Sequence, residues 1–161
     1  MNRRWATGVS VFGLTMAATA VVWAGYQRQA AAHCQVPCGI YDDAARITRI
    51  REDAATIHKA IDEINELVGK QSAQAFNQAS RWITTKETHA SHIIDVVSEY
   101  FLTQKVKPVA AGSSGYDAYL KNLADHHRVM VAAMKTKQKC DPATSATLNA
   151  AIDKLATHYG K

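Results

Sequence analysis

Several features are scarce or absent in this chain of 161 residues, and each absence argues against a class of protein. No segment after residue 32 has the alternating pattern of a β-strand, which argues against a fold built on a sheet. No basic stripe with interleaved aromatic residues is present, which argues against nucleic-acid binding despite a formal net charge of +5. There is no low-complexity segment and no repeat beyond heptads, so the composition is that of one globular domain.

The first 32 residues have no acidic side chain and predict an export signal. Arg3 and Arg4 precede an apolar stretch over residues 5–24, and residues 30–32, all alanine, form a small-residue cleavage site. We therefore expect residues 1–32 to be removed by a signal peptidase or a dedicated maturation protease. The protein would be exported, periplasmic or extracellular, and would touch a membrane only through the leader. A retained membrane anchor is the alternative, because the apolar stretch approaches spanning length.

Removal of the leader would also lower the net charge. Three of the five excess positive charges belong to Arg3, Arg4 and Arg28, so residues 33–161 keep a formal charge of +2. A mild positive field of this kind would help to attract a small anion.

The densest set of chemically active side chains follows the leader directly, over residues 33–41, which we call the hook. It places His33, Cys34 and Cys38 within six residues. Thiolates and imidazole suit soft or borderline metals such as copper and nickel, and cleavage before His33 would add a free α-amine. The spacing of the two cysteines alone is equally compatible with a disulfide in an exported protein. The third cysteine, Cys140, precedes Asp-Pro and is expected to be a loop or core thiol.

Helical periodicity dominates the rest of the chain. A first stripe comprises Ile47, Ile50, Ala54, Ile57, Ile61, Ile64 and Val68, and a second comprises Phe76, Ala79, Ile83, Ala90, Ile93, Val97 and Tyr100. A third comprises Tyr116, Leu120, Leu123, His127, Met130 and Met134, and a fourth Leu148, Ile152, Leu155 and Tyr159. Capping residues are expected at Asp42 or Asp43 and at Asp141 before Pro142, and the second helix is expected to start near Ser72. Four amphipathic helices with short connections predict an all-α, antiparallel up-down four-helix bundle with an N-terminal metal-binding hook.

The hook, with its sequence His-Cys-x-x-Pro-Cys-Gly-x-Tyr at a processed N-terminus, resembles that of the nickel-containing superoxide dismutases. The segments 81–87 and 98–101 resemble the same family, so that the likeness extends over about residues 33–159. The resemblance implies one domain over residues 33–161, a homohexamer, a nickel ion and superoxide as the substrate. It implies that nickel cycles between the 2+ and 3+ states and that the products are dioxygen and hydrogen peroxide.

The resemblance also implies roles for individual residues. The metal ligands would be His33, through its amine and its imidazole, Cys34, through its amide nitrogen and thiolate, and Cys38. Tyr41 would stand over the open face of the metal and Tyr100 near the same channel, as the candidate catalytic residues. Both tyrosines could instead be core aromatics, since Tyr100 lies on the second stripe and Tyr41 could anchor the hook.

Three positions depart from the family pattern. Thr48 and His89 stand where some members pair a glutamate with an arginine to hold the axial imidazole, and Gln35 stands where many have an aspartate. The hydrogen bonds that orient His33 must therefore differ from those of such members. Glu87, His89 and His92 lie close in the sequence, but Glu87 and His89 should face different ways, so a second metal site within the bundle is not expected. His58, His126 and His127 are expected to be polar or hydrogen-bonded core residues.

These observations predict a nickel-type superoxide dismutase. The alternative is an exported four-helix protein that binds copper or nickel without turnover, or whose hook carries only a disulfide.

Overall fold

The computed structural model describes residues 42–159, which contain four α-helices. They are α1 (Asp43–Val68), α2 (Ala73–Asp95), α3 (Tyr116–Gln138) and α4 (Pro142–Ala156). α2 continues directly into a π-helical segment, Val96–Lys105. No β-strand occurs within residues 42–159, and the all-α prediction is confirmed. The predicted hook lies outside the described residues.

Three of the four helices begin at a side-chain cap, at Asp42 and Asp141 as the sequence predicted and at Ser72, where it predicted the start of a helix. Asp42 accepts hydrogen bonds from the backbone of α1, Ser72 from that of α2 and Asp141 from that of α4. Each cap satisfies an amide that the first helical turn leaves unpaired. α3 is different, because it starts after Gly115, whose φ of 92° lies in the left-handed region and whose position offers no side-chain cap.

The helices enclose one apolar core. α1 packs against α2 and α4, and α3 packs against the same two helices. Two contacts show how α1 and α4 run relative to one another. Arg51 Nη2, in the first half of α1, lies 2.9 Å from Asp153 Oδ1 near the end of α4, whereas Asn65 Nδ2, near the end of α1, donates over 3.0 Å to the carbonyl of Cys140, just before α4 begins. These two helices therefore run antiparallel. The largest apolar side chains of the core are Phe101, Ile50, Ile57, Ile61, Ile93, Leu148, Ile152 and Leu155.

The predicted stripes of α1 and α2 are correct at most positions and wrong at three, two near helix ends and one, Ile83, in the middle of α2. Val68 is 74% exposed, Phe76 76% and Ile83 45%. Val68 is the last residue of α1 and Phe76 belongs to the first turn of α2, where neighbouring helices no longer cover the stripe. Helical periodicity identifies an apolar face but does not say how far along it the partner helices reach.

The buried face of α3 also differs from the predicted one. Leu120, His127 and Met134 are exposed, and the buried residues are Asp125, His126, Val129, Ala132, Ala133 and Thr136. The two sets are offset by about one residue, which is a rotation of about 100° around the helix. α3 turns its small and polar side chains inward because two alanines allow a close approach and the polar groups find partners within the bundle.

Tyr159 was expected on the fourth helical stripe, but α4 ends at Ala156. Tyr159 lies in the turn that follows and still packs against the core. Within the described ranges, no helix is both long and apolar enough to cross a membrane.

Candidate functional site

Most of the predicted site precedes the part of the chain that the structure describes. His33, Cys34, Cys38 and Tyr41 all lie outside the described residues, which begin at Asp42. Tyr100 is the one candidate site residue within them. It lies in the π-helical segment, where backbone and side-chain groups bond five residues back, as Val106 N does to Phe101 O over 3.0 Å. π-Helical turns are rare and often occur at functional sites.

Tyr100 is buried, and its hydroxyl donates a hydrogen bond to Asp43 Oδ1 over 2.6 Å. The other carboxylate oxygen of Asp43 lies 2.9 Å from Lys105 Nζ. The same ammonium group and the guanidinium of Arg46 face the Tyr100 ring at 6.0 and 5.8 Å from its centre. Asp43 is the first residue of α1 and the second after Tyr41 in the sequence. The structure thus ties Tyr100 to the residues that directly follow the hook.

This environment keeps the Tyr100 hydroxyl protonated. Burial of the phenol, together with the hydrogen bond to Asp43 and the negative charge of that carboxylate, raises the pKa of Tyr100 to about 12. At neutral pH Tyr100 is therefore a hydrogen-bond donor, and it is not available as a phenolate base.

A second aromatic group adjoins Tyr100 on the core side. The Phe101 ring lies 5.1 Å from that of Tyr100 and 4.2 Å from that of Tyr159. The Tyr159 hydroxyl is 2.7 Å from His126 Nε2, and His126 Nδ1 is 2.7 Å from the carbonyl of Asn122. Because a carbonyl only accepts, Nδ1 carries a proton, and in the neutral ring Nε2 accepts from the Tyr159 hydroxyl. Burial lowers the pKa of His126, in keeping with that state.

His89 and His92 converge on a residue that the sequence analysis did not single out. Asp53 is 1% exposed, and its two carboxylate oxygens lie 2.6 Å from His89 Nδ1 and 2.5 Å from His92 Nδ1. The sequence does contain a signal that Asp53 is buried, because it follows Ile50 by three residues and therefore lies on the buried side of α1. Thr48 is exposed and bonds to a carbonyl of its own helix, so Thr48 and His89 do not replace the glutamate–arginine pair of other family members.

The remaining histidines and Glu87 lie much as expected. Glu87 faces α3, with Oε2 3.8 Å from Lys137 Nζ, whereas His89 faces α1. His58 is exposed beside Asp62, at 3.5 Å, and His127 is exposed. Within residues 42–159, no three histidine, cysteine or acidic side chains are grouped so that they could hold a metal ion. The donor set whose chemistry fits nickel is that of the hook, with one imidazole and two thiols.

Cys140 lies in the exposed connection between α3 and α4, as a free thiol. The expectation of a loop cysteine is therefore confirmed.

An all-α bundle that follows a short segment rich in imidazole and thiol donors defines a small helical metalloprotein. The comparison with protein families makes this specific: the chain belongs to the nickel-containing superoxide dismutase family, whose model matches residues 28–161. The match includes the whole hook and every described helix. Nickel is therefore the cofactor, and superoxide dismutation is the activity. No curated protein and no solved structure matches the chain.

Proposed function

We propose that the protein dismutates superoxide at a single nickel ion held by His33, Cys34 and Cys38. The observation that carries this proposal is that the family match starts at residue 28 and so includes these three donors. When bound, nickel would supply one-electron oxidation and reduction between its 2+ and 3+ states. Thiolate donors suit that task because they are soft and rich in electrons.

The reaction consumes two superoxide ions and two protons and yields one dioxygen and one hydrogen peroxide. One superoxide loses an electron and the other gains it, so the chain must admit a small anion and protons to the same place. Tyr41 is proposed to order small molecules at the open face of the metal, and Tyr100 to line the approach. The fixed, protonated hydroxyl of Tyr100 beside Asp43 supports this role, because Asp43 follows Tyr41 by two residues.

Cleavage after residue 32 is proposed to switch the enzyme on. The nitrogen of a peptide bond is delocalised and cannot act as an amine ligand, whereas the free α-amine of His33 can. The protein is further proposed to be exported to the periplasm or beyond the cell.

Self-association as a homohexamer is also proposed. Phe76 and Ile83 lie seven residues apart on one face of α2 and are exposed, which supports an interface between copies. Sedimentation analysis of the processed protein would measure the number of subunits.

The test compares protein that starts at His33 with protein that starts at Ala32, both loaded with nickel. We expect tight nickel binding and dismutase activity only in the first, with equal helix content by circular dichroism. Equal activity in the two, with retention of Ala32 confirmed by mass spectrometry, would exclude the amine as a required ligand.

Cysteine variants separate this proposal from its alternatives. Cys34→Ser and Cys38→Ser should each lose nickel and activity, and Cys140→Ser is the matched control because its thiol lies in an exposed loop. A processed protein that binds nickel or copper without dismutating superoxide, or that holds only a disulfide, would show that this chain is a binding protein instead.

A further inference from the structure

A pocket of about 490 Å³ lies where the end of the π-helical segment meets α3 and α4. Four lysines line it: Lys105 and Lys107 from the end of that segment and beyond, Lys121 from α3 and Lys154 from α4. No acidic side chain is among the described residues that line it. Four positive charges around one concavity, without an acid among them, produce a strong local positive potential.

Two of these lysines have no ion-pair partner among the residues that the structure describes. Lys105 is paired with Asp43, and the ammonium group of Lys107 donates to the carbonyl of Gln104. Lys121 and Lys154 form no ion pair with any residue in 42–159. They come from two different helices and line the same pocket, so their mutual repulsion would be relieved by a bound anion.

The backbone adds donors to the same pocket. Gly115 and Ala118, which line it, belong to the start of α3, the helix without a side-chain cap. At the start of α3 the amides of Tyr116 and Tyr119 already donate to the carbonyls of Ser113 and Gly115, which leaves those of Asp117 and Ala118 as outward-pointing donors. They carry the positive end of the helix dipole, which favours a multiply charged anion. Asp117 in the same turn is not among the residues that line the pocket.

The rest of the lining is mixed, because Asn122, Thr157 and His158 add polar side chains to the apolar ones. Val106, Val109 and the Tyr119 side chain line the pocket together with the lysines. Apolar walls lower the local dielectric constant and strengthen the attraction between ammonium groups and an anion.

We propose that this pocket is a binding site for a multiply charged oxyanion, namely phosphate or the phosphate group of a small organic ester. Lysine ammonium groups bind phosphate as point charges, and the free amides of α3 supply directed hydrogen bonds. The site is independent of the nickel chemistry, although Lys105 joins it to Asp43 and therefore to Tyr100.

The first experiment titrates inorganic phosphate into the nickel-loaded, processed protein at a constant ionic strength maintained with chloride. We expect saturable binding of one phosphate per subunit by calorimetry. We also expect shifts of the Ala118 and Tyr119 amide signals in nuclear magnetic resonance spectra. No saturable binding, or the same amide shifts with chloride alone, would overturn the proposal.

Two double variants locate the site. The double variant Lys121→Gln, Lys154→Gln removes the unpaired charges of the pocket. The control, Lys135→Gln with Lys139→Gln, removes the same charge from exposed positions at the other end of α3. The pocket variant should bind phosphate at least about tenfold more weakly, because it loses two charge-assisted contacts. An equal loss of affinity in both variants would show a general effect of net charge and would contradict a built site.

A third arm distinguishes the two sources of the oxyanion. Phenyl phosphate that binds more tightly than inorganic phosphate would assign the site to an organic ester whose ring lies against Val106 and Tyr119. Equal or weaker binding of phenyl phosphate would assign the site to the free ion. Neither compound should bind the pocket variant with the affinity of the wild type, and retained affinity there would overturn the proposal.

Discussion

Tyr100 shows how a single side chain acquires its chemical state from its neighbours. Its ring is enclosed by the core, its hydroxyl is held by Asp43, and two cations face the ring. A carboxylate beside a phenol stabilises the protonated phenol, since ionisation would place two negative charges side by side. The cations limit this effect without reversing it, and Tyr100 remains a donor over the whole physiological range of pH.

Tyrosinate absorbance should reveal this state. We expect the difference between the alkaline titrations of the wild type and Tyr100→Phe to show one phenol that ionises with a pKa of about 12. Asp43→Asn should lower that pKa, because the negative charge of the carboxylate is removed. The stability that depends on protonated Tyr100 is present below the usual pKa of 10.0 and is lost as the pH rises through about 12. A Tyr100 that ionises near pH 10 would contradict the buried, carboxylate-bound geometry.

Asp53 carries a different residue-scale prediction. Asp53→Asn exchanges a buried carboxylate that joins α1 to His89 and His92 for a neutral amide. We expect it to lower the free energy of unfolding by about 3 kcal/mol, measured by denaturant titration. Asp153→Asn is the matched control, because the exposed Asp153–Arg51 pair should contribute less than about 1 kcal/mol. Equal effects of the two substitutions would show that Asp53 is not important for the packing of α1 on α2.

At the scale of the elements, α3 ends on a side chain supplied by another helix. Lys86 of α2 is buried, and its ammonium group donates to the carbonyls of Thr136 and Lys137 over 2.6 and 2.8 Å. These carbonyls belong to the last turn of α3, where carbonyl groups have no hydrogen-bond partners within their own helix. The positive charge also opposes the negative end of the helix dipole. One lysine therefore caps α3 and joins it to α2.

Lys86→Met tests this cap while keeping an unbranched chain in the same space. We expect a loss of about 3 kcal/mol in the free energy of unfolding, because a buried and a partly buried carbonyl lose a charged donor. In Lys137→Met, the control, a partly exposed side chain loses its contact with Ser91 Oγ at 2.9 Å and a long ion pair with Glu87 Oε2 at 3.8 Å, at a total cost of about 1 kcal/mol. Equal losses in the two variants would contradict the capping role of Lys86.

At the scale of the whole molecule, the bundle holds a neutral imidazole in its core. His126 is fully buried, and burial lowers its pKa below the usual 6.5. The unfolded chain therefore takes up a proton at a higher pH than the folded chain does. Stability is present above pH 6.5 and is lost as the pH falls towards the lowered pKa of the folded state.

Denaturant unfolding at pH 7.5 and 5.5 should reveal the contribution of this proton. We expect the wild type to lose up to about 1.4 kcal/mol per pH unit more than His126→Gln does below pH 6.5. His58→Gln, which alters an exposed histidine, should keep the acid sensitivity of the wild type. Protonation of Asp125 does not add to the acid sensitivity between these two pH values, because hydrogen bonds from His158 and Arg128 hold its pKa below the usual 3.8. Unchanged acid sensitivity in His126→Gln would show that another group is responsible.

The sequence by itself determined the helical class, a cap at Asp42 or Asp43, the cap at Asp141, the start of α2 near Ser72 and the buried stripe of α1 through Ile64. These features are local, because capping and helical periodicity depend on residues within a few positions of one another. The donor set of the hook is likewise local, since its ligands lie within six residues, and it led to the family that the comparison confirms.

Only the tertiary structure decided which face of α3 is buried, which partners Asp53 and Lys86 have, and that Tyr100 bonds to Asp43. These contacts join residues that are 36 to 57 positions apart in the chain. Periodicity indicates that a helix has an apolar face, but the rotation of the helix depends on the shape and polarity of its neighbours. The buried polar pairs depend further on the register between helices, because each hydrogen bond requires both groups to lie within about 3 Å of one another.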